Sequence, residues 1–129
     1  HLYFADEYFG YDDAIYASLR LLRIIDGSPV PVSRMLDGVK RYASTPEIRI
    51  HVPDERKFDA VRRLQDRFRG KLPTSEIDGV KVFFPDGWAL VRASNTQPAL
   101  VMRIEAENSA ALARIKEEFE AAVNEIVGE

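Results

Sequence analysis

Residues 78–106, DGVKVFFPDGWALVRASNTQPALVMRIEA, contain three apolar stretches that are joined by short polar segments. Asp86 and Gly87 separate the first two stretches, and an Asp-Gly pair in this position is typical of a two-residue hairpin turn that needs a positive φ. The pattern therefore predicts strands near residues 80–84 and 88–93 that pair antiparallel. The third stretch, ALVMRIEA, alternates in polarity and predicts another strand. Its inward side chains would be Leu100, Met102 and Ile104.

A strand and a helix are predicted before this region. The alternation of EIRIHV, residues 47–52, predicts a half-buried strand. Asp54 is expected to cap a helix that ends at Gly70, and a short strand region follows at residues 74–77. The apolar face of this helix is predicted to consist of Phe58, Val61, Leu64 and Phe68.

A second helix is predicted after the last strand. Asn108 or Ser109 is expected to cap it, and Gly128 to stop it. Its predicted apolar residues are Leu112, Ile115, Phe119, Val123 and Ile126. The order β-α-β-β-β-α predicts an α+β fold, in which an antiparallel sheet of about four strands has two helices packed on one face.

The first 45 residues differ in pattern from the rest. The chain starts with His1 rather than Met, and HLYFADEYFG is rich in aromatics without the basic start of a targeting signal, so we expect the chain to be part of a larger protein. Asp12 or Asp13 is expected to cap a helix that is apolar enough to need cover on more than one side. The predicted parts are residues 1–26, the end of a preceding domain; 27–45, a Gly- and Pro-rich linker and plausible hinge; and 46–129, a C-terminal domain.

Composition limits the possible classes of protein. The 129 residues are 46% hydrophobic and 30% charged, which suits one globular domain with a core. A net charge of −3, with 18 basic and 21 acidic residues spread along the chain, argues against nucleic acid or a membrane surface as a partner. The chain has no cysteine, which excludes disulfides and thiolate metal sites. Short, interrupted apolar stretches predict neither a transmembrane span nor a signal peptide, and the expected location is the cytoplasm.

The segment RASNTQP, Arg92–Pro98, joins two predicted strands and gathers hydrogen-bond donors without a carboxylate. Successive backbone N–H groups in such a turn can form an anion nest. Arg92 adds a two-pronged guanidinium suited to phosphate oxygens, and Ser94, Asn95 and Thr96 add neutral donors. The same residue types are common in turns that bind nothing. From the residues alone, a phosphate site and a simple turn both remain open.

Residues 78–106 resemble the C-terminal domain of the α-D-phosphohexomutase superfamily, whose phosphate-binding loop has the form Arg-x-Ser-(Asn/Gly)-Thr-x-Pro. Residues 92–98 match this form at each fixed position. The asparagine at position 95, where the motif allows Asn or Gly, resembles the loop of the phosphomannomutase/phosphoglucomutase branch. Residues 1–25 resemble the segment that follows the sugar-binding motif Gly-Glu-Met-Ser-Gly-His of the third domain, with His1 as its last residue. The resemblance implies a TATA-binding-protein-like C-terminal domain preceded by the end of domain three.

The implied activity is that of a mutase which interconverts hexose 1-phosphate and hexose 6-phosphate of mannose or glucose through a phosphoserine and a bisphosphorylated sugar. The serine loop and the aspartate-rich loop that holds Mg²⁺ in the family are absent from this chain. We therefore expect the chain to be inactive alone and to hold no metal or cofactor itself. Its implied partners are a hexose phosphate and the other domains of the full-length protein.

The implied role of the loop is to clamp the substrate phosphate that is not reacting. Arg92 would be a bidentate clamp, Ser94 and Thr96 would donate from their hydroxyls, and Asn95 would donate its amide or hold the turn. His1 would take part in proton transfer in the full-length protein. An alternative also remains open, a stand-alone module that binds sugar phosphates without chemistry or serves as a protein-interaction domain.

Overall fold

The structure, a computed structural model, describes residues 1–128. Internal contacts divide the chain into two compact units, His1–Lys40 and Arg41–Glu129. The boundaries predicted from the sequence, which place a separate linker at residues 27–45, stay a prediction. Over residues 1–128, no helix is long and apolar enough to cross a membrane.

The first unit consists of one helix and the aromatic segment before it. Its elements are α1 (Ala14–Asp26) and a 3-10 turn (Val32–Arg34). The Asp13 carboxylate caps α1 by accepting from the N–H groups of Ile15 and Tyr16 at 2.9 and 3.0 Å. Of the two aspartates predicted as caps, Asp13 is therefore the one used. No residue of α1 is buried.

The second unit is a six-stranded antiparallel sheet with two helices. Along the chain it contains β1 (Ala43–Ser44), β2 (Ile48–His51), α2 (Asp54–Phe68), β3 (Thr74–Ser75), β4 (Val80–Phe84), β5 (Gly87–Ala93), β6 (Ala99–Ala106) and α3 (Ser109–Gly128). The strand order is β1-β6-β5-β4-β3, and β2 pairs with the same strand β6 as β1 does. The predicted α+β class is confirmed. The sheet has more than four strands because β1 and β3, of two residues each, extend its edges.

The core lies between the sheet and the helices α2 and α3. Leu100, Met102 and Ile104 are fully buried, as the alternation of β6 predicts. Val101 points to the opposite face and is buried as well. The residues opposite it on the neighbouring strands are Arg49 of β2 and Arg92 of β5, so two long side chains lie on either side of this valine.

The predicted hairpin turn at Asp86 and Gly87 is wrong in its register. Phe84 pairs with Gly87, so the two loop residues are Pro85 and Asp86, and Gly87 already belongs to β5 without a positive φ. Gly87 is required for another reason: a Cβ there would lie 2.5 Å from the Glu105 carbonyl oxygen and 2.8 Å from the Ile115 side chain. Packing against β6 and α3, rather than backbone chirality, therefore favours glycine at this position.

Two expectations for α2 are also corrected. Asp54 is the first helical residue rather than the cap, and Pro53 occupies the cap position without a side-chain hydrogen bond. Phe58 is exposed, whereas Lys57 is buried on the face shared with Val61. Residues 57, 61, 64 and 68 follow the i, i+4, i+7 spacing of one helical face, and the lysine takes the place expected for the phenylalanine.

Candidate phosphate-binding loop

The candidate site is the five-residue loop Ser94–Pro98, which joins the central strands β5 and β6. The last strand pair is Ala93 with Leu100. The Ser94 N–H donates to the Ala99 carbonyl at 2.9 Å and closes the base of the loop. At its other end, the Pro98 carbonyl accepts from the Val52 N–H at 3.0 Å. The loop is therefore attached both to its own hairpin and to the residue that follows β2.

Ser94 is the buried member of the loop. Its Oγ accepts from the backbone N–H groups of Thr96 at 3.4 Å and Gln97 at 3.2 Å. These bonds shape the turn, which is the role that serine also has in loops without a ligand. A hydroxyl that accepts two N–H groups still has its own hydrogen to donate. Ser94 thus combines a structural role with one remaining donor.

Asn95 and Thr96 form the exposed tip of the loop. Within residues 1–128, neither their side chains nor the Asn95 backbone N–H has a hydrogen-bond partner. The tip therefore presents a carboxamide, a hydroxyl and a main-chain N–H to the solvent. Together with the Ser94 hydroxyl, these groups form a set of neutral donors without a carboxylate in the loop itself.

Arg92 is the last outward-facing residue of β5 before the loop, and its side chain is 40% exposed. The sequence places no carboxylate among the loop residues, but the structure brings Asp78 close to this arginine. The Asp78 Oδ2 atom lies 3.7 Å from Arg92 Nη1, and the aspartate side chain is 71% exposed. A long, solvated ion pair of this kind is weak. A phosphate dianion could displace it, so Arg92 is available as a donor.

Arg49 supplies a second guanidinium beside the loop. Like Arg92, it lies opposite Val101, so the two arginines are about 10 Å apart at Cα across two strand spacings. The Arg49 guanidinium contacts the Gln97 side-chain oxygen and the Glu47 carboxylate. The strand alternation shows that residue 49 is outward, but only the register of β2 against β6 reveals that it faces the loop.

Lys57 is a buried part of the site that the sequence analysis missed. Its Nζ donates to the carbonyl oxygens of Ser94 at 2.6 Å and Gln97 at 3.2 Å, and to Asp54 Oδ1 at 2.7 Å. Only 6% of the lysine side chain is exposed. The signal for this residue was a charged side chain on the apolar face of a helix, which is rare unless the charge is paired.

His1, predicted to act in proton transfer, belongs to the first unit, whereas Arg92 and residues 94–96 belong to the second. Its Nδ1 contacts the Asp12 carboxylate, and its side chain is 76% exposed. Within residues 1–128, no group of three His, Asp or Glu side chains could hold a metal ion.

Known proteins of similar sequence support one family. Residues 47–122 match the family model for the C-terminal domain of phosphoglucomutase/phosphomannomutase. The chain is 42% identical over 127 residues to a phosphomannomutase/phosphoglucomutase of Pseudomonas syringae, covering 98% of this chain and 27% of the relative. It is 41% identical to a phosphoglucomutase of Neisseria gonorrhoeae over 126 residues, covering 95% of this chain and 27% of that protein.

A solved structure supports the same family. A phosphoglucomutase/phosphomannomutase family protein of Burkholderia thailandensis superposes with a TM-score of 0.83 at 36% identity, over 98% of this chain and 26% of that one. The chain thus spans about a quarter of the length of the relatives that it matches. With the family model covering more than half of its residues, this chain belongs to the phosphoglucomutase/phosphomannomutase family and contains its C-terminal domain.

Proposed function

We propose that the chain is the C-terminal part of a hexose-phosphate mutase and that its loop clamps the substrate phosphate that is not reacting. The observation that carries the proposal is the set of unpartnered donors at the tip of the loop, next to a weakly paired arginine. Such a set suits phosphate, because a dianion needs several donors and the loop itself contains no repelling carboxylate. The loop lies within the residues that match the family model, which supports the assignment.

In this proposal, the full-length protein interconverts the 1- and 6-phosphates of mannose or glucose. A phosphoserine and Mg²⁺, both supplied by segments outside this chain, would perform the transfer, and the chain alone would be inactive. Arg92 would leave Asp78 and bind two phosphate oxygens, while Ser94, Asn95 and Thr96 would donate to the others. The loop would thereby fix the orientation of the sugar, since phosphoryl transfer depends mainly on positioning and charge stabilisation.

The proposal is tested first by NMR titration of the chain with inorganic phosphate, glucose 1-phosphate and mannose 1-phosphate. We expect saturable shifts at residues 92–97 that disappear in Arg92→Ala. Arg103→Ala is the matched control, because Arg103 is an exposed arginine of β6 and, over residues 1–128, makes no hydrogen bond or ion pair with the loop. Equal shifts in the chain and in Arg92→Ala would remove Arg92 from the site.

Kinetics of the full-length protein give the second test. Charge-assisted hydrogen bonds contribute about 1.5–3 kcal/mol, so Arg92→Ala should lower kcat/KM by roughly 10- to 150-fold. Arg103→Ala should leave it within about twofold, as a surface substitution away from the site. If Arg92→Ala has unchanged kinetics, Arg92 does not bind the substrate phosphate.

A further inference from the structure

We propose that Lys57 is a positioning residue, which holds the loop in its anion-binding shape by binding the loop backbone from the protein interior. This inference rests on the proposed phosphate-binding role of the loop. Lys57 lies in the first turn of α2 and does not belong to the loop, the hairpin or the set of exposed donors. It acts on the ligand only through the backbone that it binds.

The three partners of the Lys57 ammonium group explain why it is buried. An ammonium group has three hydrogens, and Lys57 has three oxygen acceptors: the carbonyls of Ser94 and Gln97 and the carboxylate of Asp54. The Asp54 side chain is 68% exposed, so it supplies the opposite charge from the solvent side. Over residues 1–128, no buried side-chain nitrogen or oxygen lacks a partner. For the Lys57 ammonium group, two of the three partners are carbonyl oxygens of the loop.

The two carbonyl bonds fix which side of the loop backbone faces a ligand. A carbonyl oxygen carries partial negative charge and repels an anion, whereas an N–H group attracts one. Lys57 draws the carbonyls of Ser94 and Gln97 toward the protein interior, at the two ends of the segment that contains Asn95 and Thr96. The segment between these anchors therefore presents its donors outward without an oxygen from either end beside them.

Loss of Lys57 would leave the buried Ser94 carbonyl without a donor, whereas the Gln97 carbonyl would keep the Ala99 N–H at 2.8 Å. Loop rearrangement could avoid the cost of an unpaired Ser94 carbonyl by turning it toward water. Such a rearrangement would bring negative ends of dipoles to the face that binds phosphate. The third anchor, Val52 N–H to the Pro98 carbonyl, holds the far end of the loop and remains in place. The expected defect is thus local to residues 94–97.

The test uses Lys57→Met, which keeps the length and removes the charge and the donors, in the full-length protein and in this chain. We expect KM for hexose 1-phosphate and the Kd for inorganic phosphate to rise at least about tenfold, with altered amide shifts at residues 94–97. Val123→Ala is the matched control, because it truncates a fully buried residue of α3 and lowers stability without touching the loop. Its KM should stay unchanged at temperatures where the protein remains folded.

Each outcome decides the question. A folded Lys57→Met protein with KM and Kd within about twofold of the unsubstituted protein would overturn the proposal. An equal rise of KM in Val123→Ala would also overturn it, because general loss of stability would then explain the effect. If Lys57→Met does not fold, Lys57→Leu, which also removes the charge and the donors, is judged by the same KM, Kd and amide shifts. Absence of saturable phosphate-induced shifts at residues 92–97 of the unsubstituted chain would instead reject the phosphate-binding role on which the inference rests.

Discussion

Helices α1 and α3 are both amphipathic, yet α3 buries six residues and α1 buries none. In the second unit, the sheet provides an apolar surface for each helix, so packing decides its stability. In the first unit, α1 depends on its Asp13 cap and on polar and aromatic contacts such as the stacking of Tyr8 on Tyr16 at 3.9 Å. A helical pattern in a sequence therefore predicts where a helix forms, but not which surface covers it.

Truncating a core residue should therefore affect the second unit far more than the same change in α1. Phe119 is fully buried and stacks on Phe68 at 5.5 Å, so Phe119→Ala should lower the free energy of unfolding by about 3–5 kcal/mol. Leu22 is 58% exposed, and Leu22→Ala should change it by less than about 0.5 kcal/mol. Urea denaturation followed by circular dichroism and Trp88 fluorescence measures both. A comparable loss in Leu22→Ala would show that α1 is covered in solution.

Glycine substitutions should also change the stability of the two units by different amounts, with a smaller difference than that between the two truncations. Gly87→Ala forces a Cβ against the Glu105 carbonyl and the Ile115 side chain, and overpacking of this kind costs about 1–3 kcal/mol. Gly27 follows α1 with φ −80°, and the nearest atom to its added Cβ is at 3.5 Å, so Gly27→Ala should be neutral or slightly stabilising. Thermal unfolding of both variants checks this. Equal melting temperatures would mean that β5 shifts to accept the methyl group.

Surface ion pairs in the second unit should matter little for folding and more for ligands. Asp78→Asn should change the free energy of unfolding by less than about 0.5 kcal/mol, and should tighten phosphate binding by up to about fivefold because Arg92 loses its competing carboxylate. Asp66→Asn, which removes the same charge from an exposed i,i+3 pair with Arg69, is the control. Calorimetry or NMR titration with inorganic phosphate should show tighter binding only for Asp78→Asn.

The first unit should respond to pH through its cap. Hydrogen bonds from the N–H groups of Tyr16 and Ile15 and from the Tyr8 hydroxyl hold the pKa of Asp13 below its ordinary value of 3.8. A lowered pKa in the folded state means that the cap contributes fully above pH 3.8 and that its contribution is lost as the pH falls through the lower, folded-state pKa. Carboxyl NMR titration and α1 amide exchange measure this loss. Asp13→Asn keeps a capping oxygen without the charge, so α1 in that variant should not lose its cap over the same pH range.

Much of the second unit could be predicted because its local patterns agree with its packing. The strands β4 and β5 follow from their two apolar stretches and β6 from its alternation, and α3 begins after the Asn108 cap, whose side chain accepts from Ala111 N–H at 2.9 Å. The incorrect predictions concern residues whose role is set by tertiary contacts. Gly87 was interpreted as a turn residue because its close approach to β6 and α3 has no local signature.

The candidate site could also be predicted from the sequence only in part. The resemblance of residues 92–98 to a phosphate loop identified Arg92 and the donors that follow it. Lys57, Asp78 and Arg49 come from other elements, and only the strand register and the helix–sheet packing bring them to the loop. A short motif therefore specifies the groups that could touch a ligand, while the residues that hold or compete with those groups depend on the three-dimensional fold.

The pairing of β1 and β2 with β6 has a consequence for the way the protein is made. The Thr45 hydroxyl accepts from the Ile104 N–H across 59 positions of sequence, and the Thr45 N–H donates back to the Ile104 carbonyl at 2.9 Å. During synthesis, β1 and β2 leave the ribosome well before the strand that completes their hydrogen bonds. Sheets closed by such distant partners fold slowly. The emerging chain thus exposes unpaired strand edges until β6 arrives, and Lys57 meets the Ser94 carbonyl only in that same late stage.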